Sequence, residues 1–303
     1  RSLFQSLRVW LKKEMAYKGK RINPQKFERG QIKIIAILLP LVIFMALPIV
    51  FIANHAFKPM DELFAFPPTF FVRNATLENF TKLIKFSRTA GVPLSRYVFN
   101  SLLVTGLTVG LSLLFTTFAA FALAKLKFKG RQLMMDINQL ALMFVATAVL
   151  IPRYLVICKV GLIDSIWAHI LPLLAYPVAL FLVKQFVEQV PDSLIEAAYI
   201  DGATDWTVYR KIIIPMIKPA IATAAILVFQ QVWVNMETSN YYVNDDSMKT
   251  LTFYMNSLVN VNNTVSGQGM AAAASLILFV PNLVLFIILQ NNVMNTMAHS
   301  GIK

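Results

Sequence analysis

Charged residues are scarce in this sequence: of its 303 residues, 14% are Asp, Glu, Lys or Arg. A soluble globular domain carries about 25%. The composition is correspondingly apolar, with 57% hydrophobic residues and a mean hydropathy of +0.62. These values exclude a soluble domain and predict an integral membrane protein.

Cysteine and histidine are almost absent as well. Cys158 is the only cysteine, which excludes an internal disulfide and a cysteine metal cluster. The three histidines, His55, His169 and His299, are too far apart in sequence to show metal-ligand spacing. We interpret His169, which lies within an apolar run, as a hydrogen-bonded contact between helices.

Motifs for catalysis are also missing. The chain contains no Gly-x-x-x-x-Gly-Lys-Ser/Thr phosphate loop, no Gly-x-Ser-x-Gly elbow and no His-Glu-x-x-His pair. The apolar runs hold almost no ionisable residue apart from His169, with Arg153 at the edge of one run. A proton-coupled carrier would usually carry Asp, Glu or Arg within the membrane. We therefore expect neither an enzyme nor a secondary carrier.

Six apolar runs, of about twenty residues each, are long enough to cross a membrane as helices. They lie near residues 34–54, 100–124, 137–154, 166–183, 219–236 and 270–289. The fourth run contains Pro172 and Pro177, which membrane helices tolerate when neighbouring groups satisfy the freed carbonyls. The predicted fold class is therefore an all-α integral membrane protein with six transmembrane helices.

Basic residues predict the orientation through the positive-inside rule. The first 33 residues carry ten Lys or Arg, and the segment after the second run carries Lys125, Lys127, Lys129 and Arg131. The loop after the fourth run is basic too, whereas the loops after the third and fifth runs carry one lysine each. Both termini and the loop after the fourth run are predicted to be cytoplasmic. The same rule accounts for the net charge of +13, so we expect no nucleic acid partner.

The sequence divides into a basic N-terminal segment, 1–33, and a transmembrane domain, 34–303. Apolar residues recur at helical spacing near the start of the first segment, namely Leu3, Phe4, Leu7, Trp10 and Leu11. This spacing predicts a helix lying on the inner membrane surface. A disordered basic tail is the alternative.

A polar loop, residues 190–218, separates the fourth and fifth runs. Ser193 with Glu196 three residues later fits a capping box at the start of a short helix. Gly202 fits the left-handed residue that commonly follows a helix end. Thr204 or Asp205 can cap a second helix. We predict two short helices at an angle, in which Glu196 and Gly202 either only shape the loop or also contact a partner.

This loop resembles the EAA loop of permease subunits in bacterial binding-protein-dependent ABC importers. That pattern is Glu-Ala-Ala, three residues, Gly, nine residues and Ile-x-Leu-Pro. Here Glu196-Ala197-Ala198 precedes Gly202 and Ile212-Ile213-Ile214-Pro215, so Ile214 alone departs from it. The stretch from Val190 to Ala203 looks like the carbohydrate branch of the family, in particular the six-span partner of maltose-type importers.

The resemblance implies an ABC type I importer permease fold in the bacterial inner membrane, where this loop holds the coupling helix and sits in a cleft of the ATPase. It implies ATPase docking by Glu196, Ala197, Ala198, Asp201 and Gly202. It also implies a homologous permease, an ATPase dimer and an extracytoplasmic solute-binding protein as partners, with an oligosaccharide as substrate. ATP and magnesium are then used by the ATPase subunits, and this chain needs no cofactor of its own.

The substrate path is predicted along the fifth run. Gln230, Trp233 and Glu237 share a helical face there, with Gln231 and Asn235 close beside it. Amides and an aromatic platform suit sugar hydroxyls and rings, whereas interhelical hydrogen bonding is the alternative role. For the chain as a whole, the alternatives to sugar import are the same importer role for a non-sugar solute and a secondary carrier or channel.

Overall fold

The computed structural model of the protein describes residues 29–89, 91–144, 146–261 and 265–300, and every regular element within these ranges is helical. The chain divides into two units, 1–51 and 52–303. The predicted surface helix from Leu3 to Leu11 lies outside the described residues. The predicted boundary between residues 33 and 34 stays a prediction.

The described helices, in chain order, are α1 Arg29–Phe57, α2 Met60–Leu63, α3 Glu78–Thr89, α4 Leu94–Lys125, α5 Arg131–Met143, α6 Leu150–Val160, α7 Ile166–Leu174, α8 Pro177–Glu188, α9 Asp192–Ile200, α10 Asp205–Val208, α11 Ile214–Met216, α12 Lys218–Trp233, α13 Glu237–Tyr241, α14 Leu251–Val261 and α15 Val265–Ser300. Turns of 3₁₀-helix cover Ala146–Val149 and Asp246–Met248. A π-helical turn covers Tyr209–Ile213.

The described part of the first unit belongs to α1, which carries Pro40 and Pro48 in its interior. Its apolar stretch, Ile34–Phe57, is long enough to cross a membrane, and none of its most apolar window is buried. A helix that is apolar on all sides and exposed is typical of a membrane span. It corresponds to the first predicted span.

In the second unit, three further stretches are long and apolar enough to cross a membrane: Leu94–Lys125, Lys218–Tyr241 and Gly267–Gln290. Two helix pairs are bent, α5 with α6 by 109° and α7 with α8 by 45°. Pro177 explains the second bend, because proline has no N–H for a continued ladder and is favoured at the first position of a new helix. With each pair counted as one crossing, the described helices provide the six predicted spans.

The fifth span is interrupted, because α12 ends at Trp233 and α13 begins at Glu237. The amide oxygen of Asn235 accepts hydrogen bonds from the Thr238 backbone N–H, at 3.1 Å, and from the Thr238 hydroxyl, at 3.0 Å. Asn235, one residue before the N-cap Met236, therefore satisfies a backbone N–H in the first turn of the new helix. The prediction of one continuous helical face for Gln230, Trp233 and Glu237 is wrong, since the backbone turns between the second and the third.

Two apolar clusters hold the second unit together. The first joins α4, α8 and α12 to the polar loop and includes Val183, Val208 and Ile213, which are fully buried. The second lies where α14 and α15 pack on α4 and α12, and there the rings of Tyr97 and Tyr254 stack at 4.5 Å. The first cluster fixes the polar loop onto the spans, so the loop has a defined shape.

Candidate functional site

The first helix of the polar loop begins two residues earlier than the capping box predicts. α9 starts at Asp192, directly after Pro191, and no side chain caps it. Ser193 lies within the first turn, so the predicted capping box of Ser193 and Glu196 is wrong. Glu196 is exposed, and no hydrogen bond or ion pair engages its carboxylate in the described part of the chain. Capping therefore does not account for this glutamate.

The end of α9 agrees with the prediction for Gly202. This glycine has a φ of +81°, in the left-handed region. Its N–H donates to the Tyr199 carbonyl at 3.0 Å, and the Ala203 N–H donates to the Ala198 carbonyl at 2.9 Å. The two bonds form a Schellman motif, which satisfies the last carbonyls of the helix. The loop therefore turns sharply at Gly202.

The second helical segment is tied directly to the first. The Thr204 hydroxyl accepts a hydrogen bond from the Thr207 backbone N–H at 3.4 Å, which confirms Thr204 as a cap. The Tyr199 hydroxyl donates to Asp205 Oδ1 at 2.8 Å, and this bond raises the pKa of Tyr199 above its usual value. The bond spans the turn at Gly202 and links the two segments.

Lys125, the last residue of α4, fixes the start of the loop. Its ammonium donates to the Val190 carbonyl at 2.7 Å and to Asp192 Oδ1 at 2.6 Å. The bond from Lys125 holds the pKa of the Asp192 carboxyl below its usual range. The lysine side chain is 8% exposed, whereas that of Asp192 is 76% exposed. The buried partner therefore anchors the exposed one.

Tyr209, in the second half of the loop, is held to the same helix. Its hydroxyl lies 2.8 Å from Thr117 Oγ1, and the Thr117 hydroxyl itself donates to the Leu113 carbonyl, so Tyr209 is the donor. The Phe118 ring stacks on Tyr209 at 4.7 Å and on Trp206 at 5.9 Å between ring centroids. The loop is thus attached to the second span at two places, in addition to its chain connections.

The residues predicted to dock the ATPase lie together around the turn. Glu196, Ala197, Asp201 and Gly202 are exposed, and Ala198 is half-buried against the apolar cluster. Ile200 lies among them with 86% of its surface exposed. Ile200 and Glu196 are four residues apart on one helix, so this exposed apolar side chain lies on the same face as the Glu196 carboxylate. Sequence reasoning missed Ile200, although its position within the motif was visible.

The three predicted path residues lie in different environments. Gln230 is exposed, whereas Trp233 is buried, stacks on Phe229 at 5.6 Å and donates its indole N–H to the Leu278 carbonyl at 2.9 Å. Trp233 thus packs α12 against α15. Their role in the substrate path stays a prediction.

Glu237 belongs to a polar cluster that sequence reasoning missed. Its Oε1 accepts a hydrogen bond from Arg153 Nη1 at 2.7 Å and one from the Tyr242 hydroxyl at 2.8 Å. Arg153 comes from α6, 84 residues away in sequence. The only indication of this cluster in the sequence was the position of Arg153 at the edge of an apolar run.

His169 is a structural residue, as predicted. It is fully buried, and its Nδ1 lies 2.8 Å from the Thr238 hydroxyl while its Nε2 lies 3.1 Å from the Met248 carbonyl. Among the described residues, no group of three or more His, Cys, Asp or Glu could hold a metal ion.

Comparison with known proteins places these features in a family. Residues 112–293 match the family described as the binding-protein-dependent transport system inner membrane component. The sulfoquinovosyl glycerol transport system permease protein SmoH of Agrobacterium fabrum is 28% identical, over 84% of this chain and 88% of its own. The galactooligosaccharides transport system permease protein GanQ of Bacillus subtilis is 28% identical, over 87% of this chain and 93% of its own.

The fold is similar to that of a chain in the crystal structure of a bacterial ABC transporter involved in the import of the acidic polysaccharide alginate. The TM-score is 0.73 at 21% sequence identity, covering 89% of this chain and 99% of that chain. This likeness confirms the predicted all-α permease fold. Because the family match spans more than half of the sequence, including the whole polar loop, the chain belongs to the binding-protein-dependent transport system inner membrane component family.

Proposed function

We propose that this chain is one transmembrane subunit of an ATP-driven importer and that it forms, with a homologous permease subunit, the translocation path for a sugar or oligosaccharide. An extracytoplasmic solute-binding protein delivers the substrate, and an ATPase dimer uses ATP and magnesium. Family membership supports the permease role. The sugar class is supported by relatives named for sulfoquinovosyl glycerol and galactooligosaccharides.

The observation that carries the proposal is the exposed, firmly anchored turn of the polar loop. Glu196, Ala197, Ala198, Asp201 and Gly202 form the docking surface for the ATPase in this proposal. Glu196 offers an unengaged charge, and Gly202 provides the bend that presents it. Rigid attachment suits force transmission, because a partner that displaces the loop then also displaces the spans to which it is tied.

The chain itself catalyses no reaction in this proposal. It contains no phosphate loop, so ATP hydrolysis belongs to the ATPase subunits. The path residues Gln230, Trp233 and Glu237 remain part of the proposal. Substrate transfer then depends on movements of the spans rather than on covalent chemistry.

The chain lies in the bacterial inner membrane with both termini in the cytoplasm, according to the distribution of basic residues. Reporter fusions test this orientation. Fusions at Arg131 and Ser193 should report a cytoplasmic position, and fusions at Thr76 and Asn244 an external one. A reversed result at any two of these sites would contradict the topology.

Reconstitution tests the function. In proteoliposomes that contain the chain with its partner permease and ATPase, uptake of a labelled oligosaccharide should require ATP and the loaded binding protein. The chain purified alone should hydrolyse no ATP. Uptake driven by an ion gradient without ATP would indicate a secondary carrier. ATP-driven uptake of a non-sugar solute, with no sugar transported, would keep the importer role and refute the substrate class.

A further inference from the structure

The chain that follows the first span carries an exposed aromatic segment. Residues 63–72 are ten consecutive residues without a charge, and four of them are the phenylalanines Phe64, Phe66, Phe70 and Phe71. Phe66 is 95% exposed, and Phe64 and Phe71 are exposed as well. The rings of Phe70 and Phe71 meet edge to face, with centroids 5.1 Å apart. Clustered exposed apolar side chains typically mark a contact with a membrane or a protein. We call residues 64–71 the aromatic tip.

Hydrogen bonds close the chain around the aromatic tip into a loop that is fixed to the end of α1. The Thr76 N–H donates to the carbonyl of Phe57, the last residue of α1, at 2.9 Å. The Glu62 carboxylate accepts hydrogen bonds from the Arg73 N–H at 3.0 Å and from the Asn74 N–H at 2.7 Å. These bonds join the chain before the tip to the chain after it. The tip therefore has a defined position relative to the end of α1.

A further hydrogen bond sets the height of the tip along α1. The Val72 N–H donates to the amide oxygen of Asn54 at 3.1 Å. Asn54 lies three residues before Phe57, or about 4.5 Å along the helix axis, and thus within the apolar stretch Ile34–Phe57. That stretch of 24 residues is about 36 Å long, compared with about 30 Å for the hydrocarbon core. The last turn of α1, and with it Val72 and Phe71, therefore lies at the boundary between the core and the lipid headgroups.

The side chains of the tip suit lipid better than a protein partner. Protein interfaces contain about one hydrogen bond per 100–200 Å², but Thr69 has the only polar side chain in the tip. The Thr69 carbonyl already accepts a hydrogen bond from the ammonium of Lys58, which is buried. Arg73 is the only charged residue in the range 63–77, and it is exposed. Apolar rings followed by one exposed guanidinium match the acyl chains and the phosphates of a phospholipid layer.

We propose that the aromatic tip inserts into the outer leaflet of the membrane, where its phenylalanines contact the upper part of the acyl chains and Arg73 binds lipid phosphate. The contact with lipid follows from the closed loop and from its height on α1, whereas the choice of the outer leaflet rests on the proposed topology. The tip holds the external end of the first span at a fixed depth in the membrane. This anchor is separate from the ATPase-docking surface and from the predicted substrate path.

Nitroxide depth measurements test the insertion in the whole transporter, reconstituted in vesicles of phosphatidylethanolamine and phosphatidylglycerol. Cys158→Ser removes the only cysteine, and Phe66→Cys or Asp61→Cys then introduces one labelling position. Asp61 is the matched control, because it is exposed in α2, in the same loop but outside the tip. Collision with oxygen increases towards the acyl chains, and collision with a water-soluble nickel chelate increases towards water. The label at residue 66 should lie about 5–10 Å into the boundary between headgroups and acyl chains, whereas the label at residue 61 should be aqueous.

Two results of this measurement would overturn the insertion. Equally high collision with the nickel chelate at both positions would place the tip in water, and low collision with both reagents at residue 66 would mean that a protein covers it. A membrane-impermeant thiol reagent, added to cells that carry Asp61→Cys, tests the leaflet separately. Labelling only from the cytoplasmic side would refute the outer leaflet together with the proposed topology, and the depth result would still report on the lipid contact.

A photoreactive side chain at the same place keeps the test independent of the cysteine variants. Benzoylphenylalanine in place of Phe66 retains an aromatic side chain, and irradiation couples it to neighbouring C–H groups. Irradiation in the same vesicles, with the loaded binding protein present, should add the mass of one phospholipid to this chain. The same replacement of Asp61 should give no lipid adduct. Coupling at residue 66 to the binding protein or to the partner permease in place of lipid would overturn the proposal.

Discussion

The bend at Gly202 gives the sharpest prediction. This residue has a φ of +81°, and a Cβ added to it would meet no atom within 4 Å. Gly202→Ala therefore changes the backbone energy without any steric clash. The left-handed conformation costs an L-residue roughly 1–2 kcal/mol. That cost falls on the turn that presents the docking surface.

The hydrogen bonds that close the turn stabilise it by about as much free energy as this backbone strain would remove. Two backbone hydrogen bonds close it, from Gly202 to Tyr199 and from Ala203 to Ala198. Each contributes about 0.5–1.5 kcal/mol, so their sum is comparable to the strain. A penalty of about 1–2 kcal/mol corresponds to a factor of about 5–30 in a two-state equilibrium. We expect the docking-competent turn in Gly202→Ala to fall in population by up to this factor.

The assay is binding of the purified ATPase dimer to the permease complex, followed by uptake per ATP hydrolysed. Gly202→Ala should weaken binding, whereas Gly202→Asn should weaken it less, since asparagine tolerates the left-handed region. Gly110→Ala is the matched control, because that glycine also has open space around its Cβ position but lies in α4 without a positive φ. Equal loss in Gly202→Ala and Gly110→Ala, or wild-type binding in Gly202→Ala, would refute the reasoning.

Four further substitutions test other contacts. Glu196→Lys should weaken ATPase binding while leaving the thermal stability of the permease unchanged, because no contact engages that carboxylate; normal binding would remove it from the docking surface. Lys125→Met should reduce uptake per ATP more than Asp192→Asn does, because only Lys125→Met leaves the Val190 carbonyl without its hydrogen bond. Since the pKa of Asp192 is lowered, the ion pair between Lys125 and Asp192 should persist down through pH 5. A fall in uptake per ATP of the wild type between pH 7 and pH 5 would contradict this pH prediction. Trp233→Ala should cost about 3–5 kcal/mol of stability, seen as faster thermal inactivation of the complex; unchanged inactivation with altered substrate preference would favour the path role instead.

Features that depend on a few neighbouring residues could be predicted from the sequence. The left-handed turn at Gly202 and the cap at Thr204 belong to this group, because each is decided within one helical turn. The start of α9 could not be predicted in the same way. Asp192 is held by Lys125, which lies 67 residues away in sequence, and Pro191 occupies the capping position without offering a side-chain oxygen.

The substrate path was harder to predict for a similar reason. An amide or an indole on an apolar helix is compatible with either a ligand or a neighbouring helix. The Trp233 indole N–H donates to the Leu278 carbonyl, 45 residues away, and the Glu237 carboxylate accepts from Arg153, 84 residues away. Neither contact can be recognised from the residues that surround Trp233 or Glu237 in the sequence. Periodicity also could not reveal that the helix ends at Trp233 and that a new helix begins at Glu237.

The two attachments of the polar loop to α4 restrict how permeases of this kind can be recombined. Thr117 and Lys125 are eight residues apart, or about 12 Å along the helix axis, and they bind the loop at Tyr209 and Val190. Because these two contacts are separated along α4, the loop cannot rotate about the second span. In a chimera that receives residues 190–218 from a relative, the docking surface comes from the relative, whereas the α4 residues that hold the loop come from the host. Such a graft should transmit force only when the last three turns of α4 are exchanged together with the loop.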